Sequence, residues 1–298
     1  MTWTAILNSS AGARPLDATA VEEAADRAGL AVDVHRTATL DGMQSLVAAS
    51  LAAGQRRFLA IGGDGTVHHL VASLLDEHAA IGVRDGRITV GIVPTGSGSD
   101  LARTFAIPAS PVEAFRRLVD PEMYPLDVGS ITVDGAASWF VNVANVGVAA
   151  GSVALARRLP RSMGRGKYVM AFWAHLASAS VTDIEVTVDH HHFSGRAINV
   201  VVANGQFFGG GMSIAPRASM RDGLFDVQVF ACRRRDAFTL MPRVLRGSHL
   251  THPAVRRYVG SSVAIRTTTP LPAEADGEML GAGVVDIAMH RGAIDLAV

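Results

Sequence analysis

The stretch Ile61-Gly62-Gly63-Asp64-Gly65-Thr66 sets three glycines, a carboxylate and a hydroxyl in six consecutive positions. Where such a turn opens a helix, bare backbone N–H groups and the helix dipole stabilise an anion. Glycine also lets a ligand approach the backbone closely. Asp64 puts a negative charge where phosphate would sit, so a divalent cation between the two is expected. Asp64 or Thr66 would equally cap an ordinary strand-to-helix turn, but a cap has no use for three glycines. A second turn of this kind is Pro94-Thr95-Gly96-Ser97-Gly98-Ser99-Asp100-Leu101-Ala102-Arg103. Ser97 and Ser99 offer hydroxyls to phosphate oxygens, and Arg103 supplies a cation. A flexible Gly/Ser linker is the plainer reading, but this stretch lies between a strand signal and a helix signal. Lys167 is the only lysine, which excludes a phosphate loop built on G-x-x-x-x-G-K-[ST].

The elements around these turns alternate. Apolar runs at Trp3 to Leu7, Ala31 to His35, Arg57 to Ala60 and Ile88 to Val93 read as strands. Asp17 to Leu30, Leu40 to Ala53 and Val67 to Leu75 read as helices, with Gly29 and Gly54 at the ends of the first two. This β-α-β-α-β-α-β order predicts a parallel sheet covered on both faces. Ligands of such sheets bind beyond the carboxyl ends of the strands. Asn8, Thr37, Asp64 and the Pro94 loop all fall there, so four polar loops should meet at one rim.

Beyond Pro121 to Val128 the pattern becomes mainly antiparallel β, read as two packed sheets. Strands are expected at Ile131 to Val133, Trp139 to Val148, Ile184 to Val188, Ala197 to Ala203, Leu224 to Phe230, Val263 to Arg266 and Val284 to Met289. Helices are expected at Tyr168 to Ala179 and Asp236 to Arg246. The resulting division is residues 1–127 and 128–290, with 291–298 returning to the first part. His190-His191-His192 reads as a hairpin tip closed by Gly195, because neighbouring residues on a strand point to opposite faces and converge poorly on a metal. Arg157, Arg158, Arg161, Arg165 and Lys167, with Leu155, Leu159 and Met163 interleaved, form either a solvated segment or a contact with an anionic membrane surface.

Composition removes several classes. A chain of 298 residues with 49% hydrophobic and 18% charged residues builds a large globular core. Equal numbers of acidic and basic residues, 27 of each, give no global field for nucleic acid. Cys232 alone supports neither a disulfide nor a cysteine zinc site. The first residues do not read as a signal peptide, and no run of ~18 apolar residues spans a membrane. A cytoplasmic protein is expected, with the inner membrane face left open.

Five stretches in order resemble the diacylglycerol kinase catalytic-domain family, which includes bacterial lipid kinases and their sphingosine and ceramide kinase relatives. They are Gly62 to Thr66; Gly96 to Arg103; Leu126-Asp127-Val128-Gly129 with Phe140 to Val143; Gly209 to Pro216 leading into Asp222-Gly223-Leu224; and Asp276-Gly277-Glu278. The resemblance implies a nucleotide-binding α/β domain followed by a β-sandwich, an active site in the cleft between them, and transfer of the ATP γ-phosphate to a lipid hydroxyl. It implies Glu278 as the base, with Asp64 and Asp127 holding catalytic Mg²⁺ or orienting base and acceptor. Asn8, Ser9, Ser10, Ala11, Gly12, Thr37, Gly62, Gly63, Asp64, Gly65, Thr66, Val67, His68, His69, Gly96, Ser97, Gly98, Asp100 and Arg103 would line the ATP. A structural Mg²⁺ would sit on Asp222, the Leu224 carbonyl and Ser219. Taken alone, Asp222-Gly223 and Asp276-Gly277 are plain hairpin turns. Ser99 stands where the family usually has asparagine, and His69 where many members have glutamate. The rivals are an NAD kinase, which carries a similar glycine turn, and a non-catalytic nucleotide- or lipid-binding module. A homodimer is left open.

Overall fold

The computed structural model describes residues 2–8, 17–81, 87–96, 99–160, 163, 166–177 and 181–298. The chain forms two compact units. Met1–Leu126 with Gly292–Val298 make the first, and Asp127–Arg291 the second.

In the first unit β1 (Trp3–Asn8), β2 (Val32–Thr37), β3 (Arg57–Gly62) and β4 (Thr89–Pro94) form a parallel sheet in the order β2-β1-β3-β4. Strands β1, β3 and β4 are buried almost throughout, because helices cover both faces, so each reads as an unbroken apolar run. Helices α1 (Ala18–Ala28) and α5 (Pro111–Arg117) bring Val21, Ala24 and Phe115 onto Trp3, Leu7, Leu59 and Val93. Helices α2 (Leu40–Ala52) and α3 (Asp64–Ile81) pack together and against β2 and β3. Thr39 caps α2 by accepting the Gly42 N–H, and Gly29 ends α1 at φ 79°. At the end of the chain, Asp295 and Leu296 extend the sheet in parallel beside Thr89 and Val90 of β4.

The second unit is a sandwich. Strands β7 (Val143–Gly147), β10 (Asn199–Ala203), β11 (Phe225–Phe230), β12 (Val255–Gly260), β14 (Pro272–Ala275) and β15 (Glu278–Ala282) form one antiparallel sheet, in the order β12-β11-β10-β7-β14-β15. Facing it are β8 (Thr182–Val188), β9 (His191–Ala197), β13 (Ser262–Thr267) and the first half of β16 (Val285–Ala297); β5 (Met123–Val133) and β6 (Ala136–Phe140) pair alongside. Val146, Val200, Val202, Val227 and Ala273 meet Val186, Val263 and Ile287 in the core. On the other face of the six-stranded sheet, Val201 and Ala203 pack under α7 (Gly166–Leu176) and α8 (Ala237–Leu245). Strand β10 is therefore buried on both sides.

Two local expectations are corrected. Trp139 to Val148 is not one strand: β6 ends at Phe140, β7 begins at Val143, and α6 (Val148–Arg157) follows directly after β7. Asp189 and His190 form the hairpin tip, with Val188 paired to His191, and Gly195 lies inside β9 rather than closing the turn. Strands β12, β14 and β15 fall where the sequence pattern predicts none.

Candidate active site

The rim of the first unit follows from its register. Asn8 pairs with Thr37, Leu7 with Ile61, and Gly62 with Pro94, so the loops leaving four strands start side by side. The strand order reverses between β1 and β3, and ligands of open α/β sheets bind at that switch. There the Asn8 Nδ2 donates to Thr66 Oγ1 at 3.2 Å. Helix α3 starts on the glycine turn, with the Gly63 carbonyl accepting the Thr66 and Val67 N–H groups.

The two glycine turns touch. The Thr95 N–H donates to the Gly62 carbonyl at 2.9 Å, and a Cβ on Gly96 would come 2.6 Å from Gly63 Cα. A Cβ on Gly62 would collide with the Thr66 side chain. Packing thus requires Gly62 and Gly96. Gly65 differs: it is exposed in the first turn of α3, and among the described residues no atom beyond its own helix turn lies within 4 Å of its Cβ position. Helix N-termini are where phosphate groups bind.

Asp64 Oδ1 accepts the Leu101 N–H at 3.3 Å, tying the first turn to α4 (Asp100–Thr104). Ser99, just before α4, holds φ 51° and ψ 52° and donates its hydroxyl to the Gly96 carbonyl at 3.2 Å. Asp100 is buried, and Arg103 is exposed one helical turn on. His68 is buried with its ring edge-on to His69 at 5.0 Å, and Thr37 is buried at the end of β2. Ser9, Ser10, Ala11, Gly12, Ser97, Gly98, Arg161 and Arg165 lie outside the described residues.

Asp127 belongs to the second unit. It is 2% exposed, and its Oδ2 accepts the Gly223 N–H at 2.6 Å. Asn204, fully buried, donates to the carbonyls of Asp127 and Val141. Asp127 therefore fixes the Asp222–Gly223 turn. Asp222 is exposed, and its Oδ1 accepts the Leu224 N–H, an Asx turn. A carboxylate is a hard oxygen donor, of the kind that holds Mg²⁺ with most of its waters. Ser219 is half-buried two residues before the turn. Among the described residues no three His, Cys, Asp or Glu side chains cluster as a metal cage. Mg²⁺ seldom needs one, being held by one or two carboxylates with substrate phosphates and water.

Glu278 opens β15 just after a two-residue turn in which Asp276 and Gly277 have φ 49° and 87°. Two positive φ values are what a type I′ turn demands, and Asp-Gly supplies them. The Asp276 carboxylate accepts three backbone N–H groups, from Val141, Asn142 and Val143, at 2.6, 2.9 and 3.0 Å. Glu278 Oε1 meets Arg157 Nη2 at 2.6 Å with about a third of its side chain exposed.

Sequence reasoning missed Glu274, Asn145 and the pairing role of Arg157. Glu274 is 0% exposed; its Oε1 is paired with the Asn145 Nδ2, and its Oε2 accepts the Gly277 N–H at 2.8 Å. Burial pushes its carboxyl up to about 8, with Asp276 adding to the rise while the Asn145 and Gly277 hydrogen bonds and Arg157 oppose it. An apolar cavity of about 80 Å³ lies beside it, under α7 and α8. Phe172, Phe208, Met212, Leu240 and Met241 form its walls, and Asn145 forms one polar edge.

Comparison with known proteins agrees with this layout. Residues 2–131 match the diacylglycerol kinase catalytic domain, and residues 125–298 match the YegS C-terminal NAD kinase beta sandwich-like domain. The chain belongs to the diacylglycerol kinase family, in the branch that carries the YegS-type β-sandwich domain. It is 26% identical over 276 residues to a Pseudomonas fluorescens protein named "Probable lipid kinase YegS-like", covering 92% of this chain and 88% of that one. It is 26% identical over 226 residues to a diacylglycerol kinase of Bacillus subtilis, covering 75% and 71%. The crystal structure of a diacylglycerol kinase from Bacillus anthracis shares the fold, with TM-score 0.72, 18% identity, and coverage of 99% of this chain and 96% of that chain.

Proposed function

We propose that this protein is an ATP- and Mg²⁺-dependent lipid kinase that moves the γ-phosphate of ATP to the hydroxyl of a diacylglycerol-like lipid. One observation carries the acceptor side. The apolar cavity of the second unit has Asn145 in its wall, and hydrogen bonds from Asn145 through Glu274 lead on to the turn that bears Glu278. A soluble dinucleotide acceptor has no need of such a cavity.

The donor side rests on the first unit. ATP phosphates take the N–H groups at the start of α3 and the room beside Gly65. With no lysine in either turn, Mg²⁺ and Arg103 are left to offset phosphate charge. Bound Mg²⁺ would neutralise charge on the phosphates. Asp64 would hold that catalytic ion, and Asp222 a separate structural one beside the β-sandwich turn. The acceptor oxygen forms the new P–O bond, the bond to ADP breaks, and Glu278 takes the hydroxyl proton. Arg157 holds the Glu278 carboxylate in place for that step.

Contact with an anionic membrane surface is part of the same reading. Exposed Met163, Met170, Phe238 and Leu245 lie on or beside α7 and α8; Arg158 at the end of α6 and Lys167 in α7 add cations. Each cation near headgroups contributes about 1 kcal/mol. Sedimentation with anionic and zwitterionic vesicles tests this, and equal binding to both would remove it.

The experiment for the reaction is labelled ATP with a panel of lipids and with NAD. Glu278→Gln should lower lipid turnover at least ~10²-fold while ATP still binds. Undiminished turnover sinks the base assignment, and NAD as the only acceptor sinks the lipid reading.

A further inference from the structure

Glu274 is a carboxyl group without solvent in the middle of a β-sheet. Its direct cross-strand neighbour is Asn145 of β7. Asn145 Nδ2 donates to Glu274, and Asn145 Oδ1 accepts from Asn199 Nδ2 at 3.4 Å. Asn199 Oδ1 in turn accepts the Ala149 N–H at 2.9 Å. Asn145, Ala149 and Asn199 all line the apolar cavity. On its other side, Glu274 takes the N–H of Gly277, the residue before Glu278. A continuous row of hydrogen bonds thus joins the cavity wall to the backbone that carries the base.

We propose that Glu274 is a positioning residue for phosphoryl transfer: through Gly277 it fixes the turn that aims Glu278, and through Asn145 it links that turn to the wall of the cavity. The role rests on the lipid kinase reading. The charged groups around Glu274 are Arg157 of α6, Asp276 in the turn and Glu278 on β15; β7 contributes none. While Glu274 is neutral, Arg157 is left to Glu278. Once Glu274 ionises, a second carboxylate draws on the same guanidinium and stands next to Asp276. Arg157 then holds Glu278 less firmly in its place. Burial holds Glu274 in the neutral form until the pH approaches about 8.

The test measures kcat and KM of the full chain with diacylglycerol in mixed micelles, ATP and Mg²⁺, from about pH 6 to about pH 10. Wild type, Glu274→Gln and Glu274→Ala are compared, Gln being the shape of the neutral acid. Wild-type kcat should decline above the pH at which Glu274 ionises. Glu274→Gln should keep kcat at neutral pH within about threefold and lose that decline, while Glu274→Ala drops kcat ~30-fold with the ATP KM little changed. An alkaline decline in Glu274→Gln equal to wild type overturns the proposal, as does wild-type kcat in Glu274→Ala. Absence of lipid turnover in the wild type overturns the functional reading as well, which separates the two failures.

Discussion

Replacing Gly65 by alanine sets the needs of the fold against the needs of a ligand. Gly65 sits in the first turn of α3, its φ is not positive, and among the described residues no atom beyond its own helix turn lies within 4 Å of its Cβ position. For the folded chain, alanine is the better residue. It restricts the unfolded backbone and favours the helix, a gain of about 0.5–1 kcal/mol. In a unit of this size that raises the melting temperature by about 2 °C. If ATP binds here as proposed, the same methyl group is an obstacle. It would fill the space through which a phosphate oxygen approaches the N–H groups of the turn. Losing one charge-assisted hydrogen bond costs about 1.5–3 kcal/mol, or ~10–100-fold in affinity. Thermal unfolding with and without ATP and Mg²⁺, together with calorimetric titration, reads both effects on one sample. The expected variant is more stable alone and gains less from ATP than wild type does. A variant that binds ATP with wild-type affinity would refute the claim that phosphate uses this space.

Other outcomes follow from single groups. Asp276→Ala removes the acceptor of three backbone N–H groups and should lower stability by about 3 kcal/mol in urea unfolding; a loss under about 1 kcal/mol would mean that solvent takes over its role. Arg257→Met leaves Asp226, 1% exposed, without its guanidinium partner at 2.7 Å, and should cost about 3 kcal/mol in the same assay. Ser99→Asn should stabilise by about 0.5 kcal/mol, because asparagine tolerates the left-handed conformation that Ser99 holds. Glu274 also makes stability depend on pH. Its folded value near 8 exceeds its ordinary 4.5, so the folded state binds more protons between those values and stability falls as pH rises from about 4.5 to about 8. A shift of that size corresponds to about 5 kcal/mol across the window. Glu274→Gln should flatten the dependence, and a wild-type profile without slope would contradict the burial argument.

The first unit was legible because its physics is local. Strands buried on both faces read as short apolar runs, and glycine turns punctuate them between helices with one apolar face. The order β-α-β then fixes which strand ends meet, and Asn8, Thr37, Gly62 and Pro94 are neighbours by register. The start of α6 was not legible. Val143–Gly147 and Val148–Arg157 are both largely buried and follow one another without a polar loop, and an apolar run carries no period that separates strand from helix. Glu274 was less legible still. Its partner Asn145 is 129 positions away, and only the pairing of β14 with β7 brings the two together. A lone glutamate between alanines carries no sign of that meeting. Asp276 and Glu278 were visible only through the family motif, since Asp-Gly is an ordinary hairpin turn.

The final strand has a consequence for how the chain is made. Residues Gly292–Val298 belong to the first unit, and Asp295–Leu296 lie along β4. During synthesis, Thr89–Pro94 must wait for some two hundred further residues before its open edge is covered. Until then the N-terminal sheet offers an unpaired strand, the kind of surface that recruits other chains. A ribosome stalled near residue 126, or a fragment cut there, would release a half that carries the phosphate turns and is prone to aggregate. Adding the peptide 292–298 in trans should reduce that tendency.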